Sequence, residues 1–344
     1  DAKKMCPGLI LKTGNHKLYT EFHHKIINAV EEVLPIKKIL SIDEVACEFI
    51  GKERQFENAK KIAQQMKNHV QNVVGSEIKS SVGVGPNILV AKIASDMQKP
   101  DGLVLIPSSQ ILEKIGPLQI SDIPGVGRQM KYRLNARGYL TIADLMKTPE
   151  HELRKHWGSI WGLRIARELK GEDIPYSKNP HQNSLSHEHV LPPDLRTPDK
   201  AFQVATKLLL KGAARLRDEK LKTKHLSIYV KYFDATFNEY SISFNETDDT
   251  YFLVHELKKL WKIQTPKKPI KVGIALSDLV HGPAQLSLFD NPKANNINSA
   301  LDQINAKYGP NTLFFASTKE VLGNAKTRIS FNHIPELKDE FDDI

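Results

Sequence analysis

The chain has 344 residues, 40% of them hydrophobic, and carries 49 lysines and arginines against 40 acidic residues, a formal charge of +9. That length allows two or three domains with cores of their own, and the positive excess suits a polyanionic partner such as nucleic acid or an anionic membrane surface. No apolar run approaches the roughly 18 residues of a membrane-spanning helix, no charged-then-apolar leader opens the chain, and the cysteines Cys6 and Cys47 form neither a disulfide framework nor a zinc-binding pattern. A reducing cytoplasm or nucleoid is the expected setting.

Taken in chain order, Tyr19, Phe22, Ile26, Ile27, Val30, Val33 and Leu34 recur at steps of three and four and predict a helix over 16–34. A strand-like stretch from Ile39 to Ile42 runs into Asp43 and Glu44. A helix over 55–74, a strand over 79–84 and a helix over 87–97 behind Pro86 follow, so residues 1–107 read as α/β. Residues 108–172 read as short helices, and 173–183, polar with two prolines, as a linker. Beyond it lie a strand over 184–191, a helix over 198–219, strands over 223–233 and 239–244, a helix over 249–263 and a strand over 269–277. This β-α-β-β-α-β order is the ferredoxin-like arrangement, assigned to residues 184–282. Residues 283–344 show sparse periodicity and are expected to be a partly disordered tail.

Asp43-Glu44 is the first candidate for chemistry. Adjacent residues on a regular strand face opposite ways, so both reach one site only from a strand end or turn; alternatively, one binds a metal and the other orients it. Hard carboxylate oxygens are what Mg²⁺ requires in phosphoryl transfer, yet one pair is too few for two ions. Taken alone, the pair reads more readily as a solvated strand end. Ser81-Val82-Gly83-Val84-Gly85-Pro86-Asn87 leads into a helix carrying Ala91-Lys92-Ile93-Ala94-Ser95, followed by Lys99-Pro100-Asp101-Gly102. Gly83 and Gly85 half-match a dinucleotide loop, but its third glycine is absent. Lys99 could reach a triphosphate as a point charge, or be a surface lysine before a turn.

Together these stretches resemble the palm of Y-family DNA polymerases of the DNA polymerase IV type. Ser41-Ile42-Asp43-Glu44 matches the family's second acidic motif, and the Ser81–Gly102 residues match the one after it. Ile88 departs, standing where many relatives carry lysine. The resemblance implies that Asp43 and Glu44 are catalytic and metal-binding, that Lys99 binds the nucleotide, and that Mg²⁺ works in a two-metal site. It also puts the family's first metal-binding aspartate, first palm strand and fingers upstream of Asp1. The chain is therefore expected to lack one carboxylate ligand and, alone, not to extend primers.

Ile123-Pro124-Gly125-Val126-Gly127 resembles the helix-hairpin-helix of the family's thumb, implying phosphate contacts from Gly125, Val126, Gly127, Arg128 and Lys131. The β-α-β-β-α-β unit resembles the little finger, with Lys207, Lys211, Arg215, Arg217, Lys222, Lys224, His225 and Lys231 as candidate DNA contacts. Some of these are expected to be merely solvated. His187 and His189 share a strand face and are expected to point to solvent or DNA rather than to a metal. Gln285-Leu286-Ser287-Leu288-Phe289 resembles the peptide that binds the bacterial β sliding clamp through Gln285, Leu286, Leu288 and Phe289. The expected whole is a monomeric α+β multidomain enzyme: a partial α/β palm, an all-helical thumb, and a ferredoxin-like little finger. Its expected partners are primer-template DNA, dNTPs and the clamp, with no membrane. The rival expectation is a non-catalytic, polymerase-like DNA-binding or clamp-adaptor protein, against which Asp43-Glu44 argues.

Overall fold

A computed structural model describes residues 2–12, 14–175, 183–262, 267–281, 292–309 and 311–325. These fall into two compact units, one on each side of the break near residue 178.

The first unit opens with α1 (Ala2–Met5) and α2 (His16–Glu31), whose first turn is capped by the Asn15 side chain. The strands β1 (Ile36–Ile39) and β2 (Val45–Cys47) pair antiparallel, and α3 (Phe56–Val74) follows. Ala29, Val30 and Val70 bury together with Ile36 and Val45, so α2, α3 and the hairpin share one small core. The strand expected over 39–42 stops at Ile39, because the Leu40 and Ser41 amides both donate to the Glu44 carbonyl and close a turn.

Next, β3 (Val82–Val84) pairs in parallel with β4 (Leu103–Leu105), and α4 (Ile88–Met97) crosses between them. Gly83 is required here by space alone. A Cβ at this position would lie 2.0 Å from the Ala91 carbonyl oxygen and 2.3 Å from the Ser95 nitrogen, both backbone. Helix α4 can lie this close to β3 only because that side chain is missing. The helices α5 (Ile111–Ile115), α6 (Arg128–Asn135), α7 (Ile142–Lys147), α8 (Glu150–Trp157) and α9 (Ile160–Leu169) then build a second core. That core is continuous with α4, running from Leu89 and Ile93 through Ile115, Ile123 and Leu134 to Leu169. Asn87 ties its two ends. The buried side chain caps α4 by accepting from the Val90 amide at 2.9 Å, and it donates to the Glu168 and Glu172 carbonyls at 2.7 and 2.9 Å.

The second unit is a twisted antiparallel sheet of β5 (Ser184–Val190), β6 (Leu221–Tyr232), β7 (Phe237–Thr247) and β8 (Pro269–Ser277) in the order β5-β8-β6-β7. The short β9 (Val280–His281) pairs with the start of β6. Helices α10 (Pro198–Asp218) and α11 (Thr250–Lys262) cover one face, burying Leu185, Leu226, Ile228, Val230, Val272 and Ile274 beneath Val204, Leu208 and Leu257. The β-α-β-β-α-β order is the one the periodicity predicts.

Three expectations are corrected here. Part of the region read as tail is ordered: α12 (Pro292–Tyr308) and a 3-10 turn over Ala316–Val321, with Val321 and Ala325 buried in the unit's core. The reason lies in the cations of α10. Lys207, only 3% exposed, donates to the Leu322 and Asn324 carbonyls, and Lys211 donates to the Ala325 carbonyl. Arg217 makes a bidentate pair with Asp302 and also donates to the Asp248 carbonyl, while Arg215 pairs with Glu219. Lys207, Lys211 and Arg217 thus fasten the C-terminal segment and the helix to their own unit and are not the DNA grip that their charge suggested, whereas the Arg215 pair is local to α10. Third, His187 and His189 point inward, beside Leu185, and His189 is buried; α10 covers the face that was expected to meet solvent.

Candidate active site

Asp43 and Glu44 sit in the Ser41–Glu44 turn that joins β1 to β2, so a turn and not a strand lets neighbouring carboxylates share one region. Ser41 Oγ donates to Asp43 Oδ1 at 2.6 Å and fixes one oxygen of an otherwise exposed carboxylate. His23 of α2, buried beneath the turn, bonds through Nδ1 to the Ile42 carbonyl at 2.6 Å. Burial lowers the His23 pKa against the opposing pull of that bond, so the ring is neutral near pH 7 and Nδ1 carries the donated hydrogen. Periodicity had assigned α2 only a core face; nothing in the sequence marked His23 as the residue beneath the acidic turn.

Glu44 does not stand free. Lys92 of α4 reaches it at 2.6 Å and also meets Asp96 at 3.3 Å, and Asp96 in turn takes Lys99 at 2.7 Å. Charges alternate along this chain, Glu44, Lys92, Asp96, Lys99. Burial on its own would lower the Lys92 pKa, but the two carboxylates outweigh it and hold the ammonium charged. Burial likewise pushes the Asp96 carboxyl up, and Lys99 and Lys92 together bring it below the usual range. The Asp96–Lys99 pair is more than one-third exposed on both sides, so it costs little to break and Lys99 remains available to another anion.

The loop bearing Lys99 is held from below by Lys67 of α3, a residue the sequence gave no reason to single out. Its side chain is 6% exposed, and Nζ donates to the Ser80 carbonyl at 2.5 Å, the Asp101 carboxylate at 2.7 Å and the Gly102 carbonyl at 3.0 Å. The same contact depresses the Asp101 pKa.

The glycine turn before α6 combines a buried anchor with an open surface. Ile123 and Val126 are buried, Gly125 has φ +87°, and Gly125 and Gly127 have nothing within 4 Å of where a Cβ would stand. The Val126 amide donates to the Ile123 carbonyl at 3.0 Å, so with its side chain in the core Val126 shapes the turn and does not reach outward. Arg128 is exposed at the start of α6, and Lys131 Nζ donates to Gln119 and Ser121 at 2.9 and 3.2 Å. The peptide at 285–289 lies outside the described residues.

The donor chemistry of Asp43 and Glu44 fits a hard cation, but among the described residues no cluster of three or more His, Cys, Asp or Glu side chains is placed to hold a metal ion. No helix among the described residues is long and apolar enough to cross a membrane.

The chain is similar to known proteins along most of its length. Residues 1–96 match the impB/mucB/samB family, residues 121–173 the thumb domain of DNA polymerase-iota, and residues 182–288 the impB/mucB/samB family C-terminal domain. The chain is 30% identical over 321 residues to a DNA polymerase IV of Desulfatibacillum aliphaticivorans, covering 91% of this chain and 81% of that protein. It is 29% identical to a DNA polymerase IV of Pelotomaculum thermopropionicum, covering 95% and 83%, and 26% identical to DNA polymerase IV 1 of Bacillus subtilis, covering 99% and 83%. A solved Y-family DNA polymerase chimera shares the fold, with a TM-score of 0.65 at 24% identity over 82% of each chain. A template-directed polymerase with a thumb and a separate C-terminal unit is thereby defined, and the chain belongs to the Y-family DNA polymerases, in the DNA polymerase IV group. It is a DNA-directed DNA polymerase of translesion synthesis, a class that works with divalent metal ions.

Replacing Lys67 with methionine removes one buried donor from three acceptors, and each buried group left unpaired costs about 1–3 kcal/mol. Lys67→Met is expected to destabilise the protein by about 2–4 kcal/mol in urea unfolding, and Asp101→Asn by clearly less, since Lys67 keeps both carbonyls. Equal costs for the two variants would contradict the assigned role of Lys67.

Proposed function

We propose that Asp43 and Glu44 are the carboxylates of this chain that serve nucleotide addition, that Lys99 meets the dNTP triphosphate, and that the metal is Mg²⁺. The observation that carries this reading is the alternating chain from Glu44 to Lys99, which links the acidic turn to the Lys99 loop through Lys92 and Asp96. Asp43 and Glu44 would hold Mg²⁺, which when bound lowers the barrier by offsetting charge on the attacking and leaving oxygens; a two-metal site takes a further carboxylate than these two. Ser41 and His23 orient the turn so that the carboxylates keep one geometry from turnover to turnover. Lys92 balances the charge of Glu44 and holds it against α4. Lys99 leaves Asp96 for a phosphate oxygen and places the substrate as a point charge.

The domain reading is a palm over 1–107, a thumb over 108–172, a linker over 173–183, and a little finger over 184–282 whose core also takes Val321 and Ala325 of the segment that follows it. The primer-template backbone lies against Gly125, Gly127, Arg128 and Lys131, and against the sheet face that α10 and α11 leave open. Gly127 supports the first contact. Its φ of −75° is open to any residue and nothing inside the chain crowds it, so neither backbone strain nor internal packing calls for a glycine there. A phosphate backbone approaching closely does call for one. The protein acts as a monomer in the cytoplasm, at the nucleoid, and Gln285, Leu286, Leu288 and Phe289 dock on the bacterial β sliding clamp.

In a protein extended upstream by the segment that supplies the further carboxylate, Asp43→Ala is expected to lower template-dependent incorporation about a thousandfold, a loss of several kcal/mol of charge stabilisation, with primer-template affinity unchanged. Extension at the parent rate would refute the assignment.

Gly127→Ala is expected to keep unfolding stability within about 1 kcal/mol yet weaken duplex binding several-fold. For the parent, log K should fall with log salt by about 0.9 per neutralised phosphate. Unchanged binding by the variant, or a slope near zero for the parent, would remove the thumb contact.

A peptide of residues 283–291 is expected to bind the clamp near micromolar affinity, about −8 kcal/mol, and to lose that binding when Leu288 and Phe289 both become alanine. Full binding by the doubly substituted peptide would discard the clamp assignment.

A further inference from the structure

The sheet face left open by α10 and α11 is sorted along its strands. Across one end, the register sets Ser184, Ser277, His225 and Ser243 abreast. Four residues along β6 from that row, Tyr229 lies on the open face, and the next outward position is Lys231, flanked by Lys271 and Phe237. Phe233 follows at the same alternation just beyond β6. One end of the face is thus mostly serine, with His225 bonded to Ser243, and the other aromatic and basic.

The aromatic end is exposed and rigid. Phe233 and Phe237 are 68% and 63% exposed, large apolar groups held in water. The Tyr229 and Phe237 rings lie 5.9 Å apart, and Lys268 Nζ stands 5.6 Å from the Phe233 ring centre. The turn between the two phenylalanines is fixed by Asp234. Its Oδ1 accepts from the Thr236 amide and hydroxyl at 3.0 and 2.5 Å, and its Oδ2 takes Lys267 at 2.9 Å. Those bonds hold the Asp234 carboxyl down to about 2, so the carboxylate is charged and matched by Lys267 at neutral pH.

The two ends suit different nucleic acid. Inside a duplex every base is covered by its neighbours, so an aromatic side chain finds no ring face to stack on. An unpaired base offers both faces, and stacking on aromatic rings beside cations is how single strands are held without sequence preference. We propose that Phe233 and Phe237 form a stacking platform for unpaired nucleotides of the template strand where it leaves the duplex. The platform rests on the reading that this unit binds primer-template DNA, and adds which part of that substrate its far end takes.

Fluorescence anisotropy of the full chain at fixed salt tests this with two probes: a blunt duplex, and the same duplex with a single-stranded 5′ template extension. The extension is expected to raise the affinity of the parent protein. The double variant Phe233→Ala, Phe237→Ala is expected to bind the extended probe about tenfold more weakly and the blunt duplex unchanged, while Phe237→Trp keeps the parent behaviour. No loss on the extended probe, or an equal loss on both, overturns the platform while leaving the DNA reading intact. If the parent binds neither probe, the DNA reading and the platform fall together. Both rings are exposed, so the melting temperature should not move; if the double variant were to unfold, Phe233→Ala alone, outside the strand ladder, carries the same comparison.

Discussion

The ion pair between Glu44 and Lys92 is the interaction on which the candidate site depends. Glu44 belongs to a hairpin turn whose small core lies against α2 and α3, whereas Lys92 belongs to a helix whose core continues through residue 169. This 2.6 Å contact joins two separately packed parts of the unit at the point where chemistry is expected, beside the links that Lys67 makes to Asp101 and Gly102. Its strength comes from its surroundings. Lys92 is only 23% exposed and pairs with two carboxylates, so losing either partner would leave a partly buried charge less compensated. The further link to Lys99 is exposed and weak, which is what a residue that must exchange one anion for another requires.

The glycines show how space is allotted on either side of this site. At Gly83 the missing side chain admits the chain's own backbone, which sets how near α4, and with it Lys92, lies to the strand. At Gly127 the missing side chain admits nothing from the chain itself. One serves internal packing and the other leaves room for an external body. The same contrast separates the cations of the second unit. Lys207, Lys211 and Arg217 are spent on carbonyls and Asp302, whereas Lys231 stands on the open face of the sheet.

Much of this was legible in the sequence because it is local. The period of α10, the alternation of β6 and β7, and the β-α-β-β-α-β order follow from neighbours along the chain. The Asp43-Glu44 and Lys99 assignments came from adjacent residues matching a known motif. What escaped was long-range. Lys67 meets Asp101 across 34 residues, His23 meets Ile42 across 19, and Lys207 meets Asn324 across 117. Nothing in a local pattern separates a lysine that will be buried against carbonyls from one that will meet DNA. His187 and His189 failed for a related reason: alternation tells that two residues share a face, but not which face α10 will cover. The packing of α12 and of residues 316–325, inside the region expected to be partly disordered, was not foreseen because both are fastened by residues more than 80 positions away.

A double-mutant cycle on Glu44→Gln and Lys92→Met, read in the single-turnover rate of templated dNTP incorporation by a protein that also carries the upstream segment with the further carboxylate, tests most directly whether the acidic turn and α4 work as one device. If they do, each substitution slows incorporation, and the two together are no slower than the worse single variant, because both break the same link. If the rate losses multiply as independent effects, the Glu44–Lys92 contact is not what assembles the site, and the account of it given by this structure is wrong.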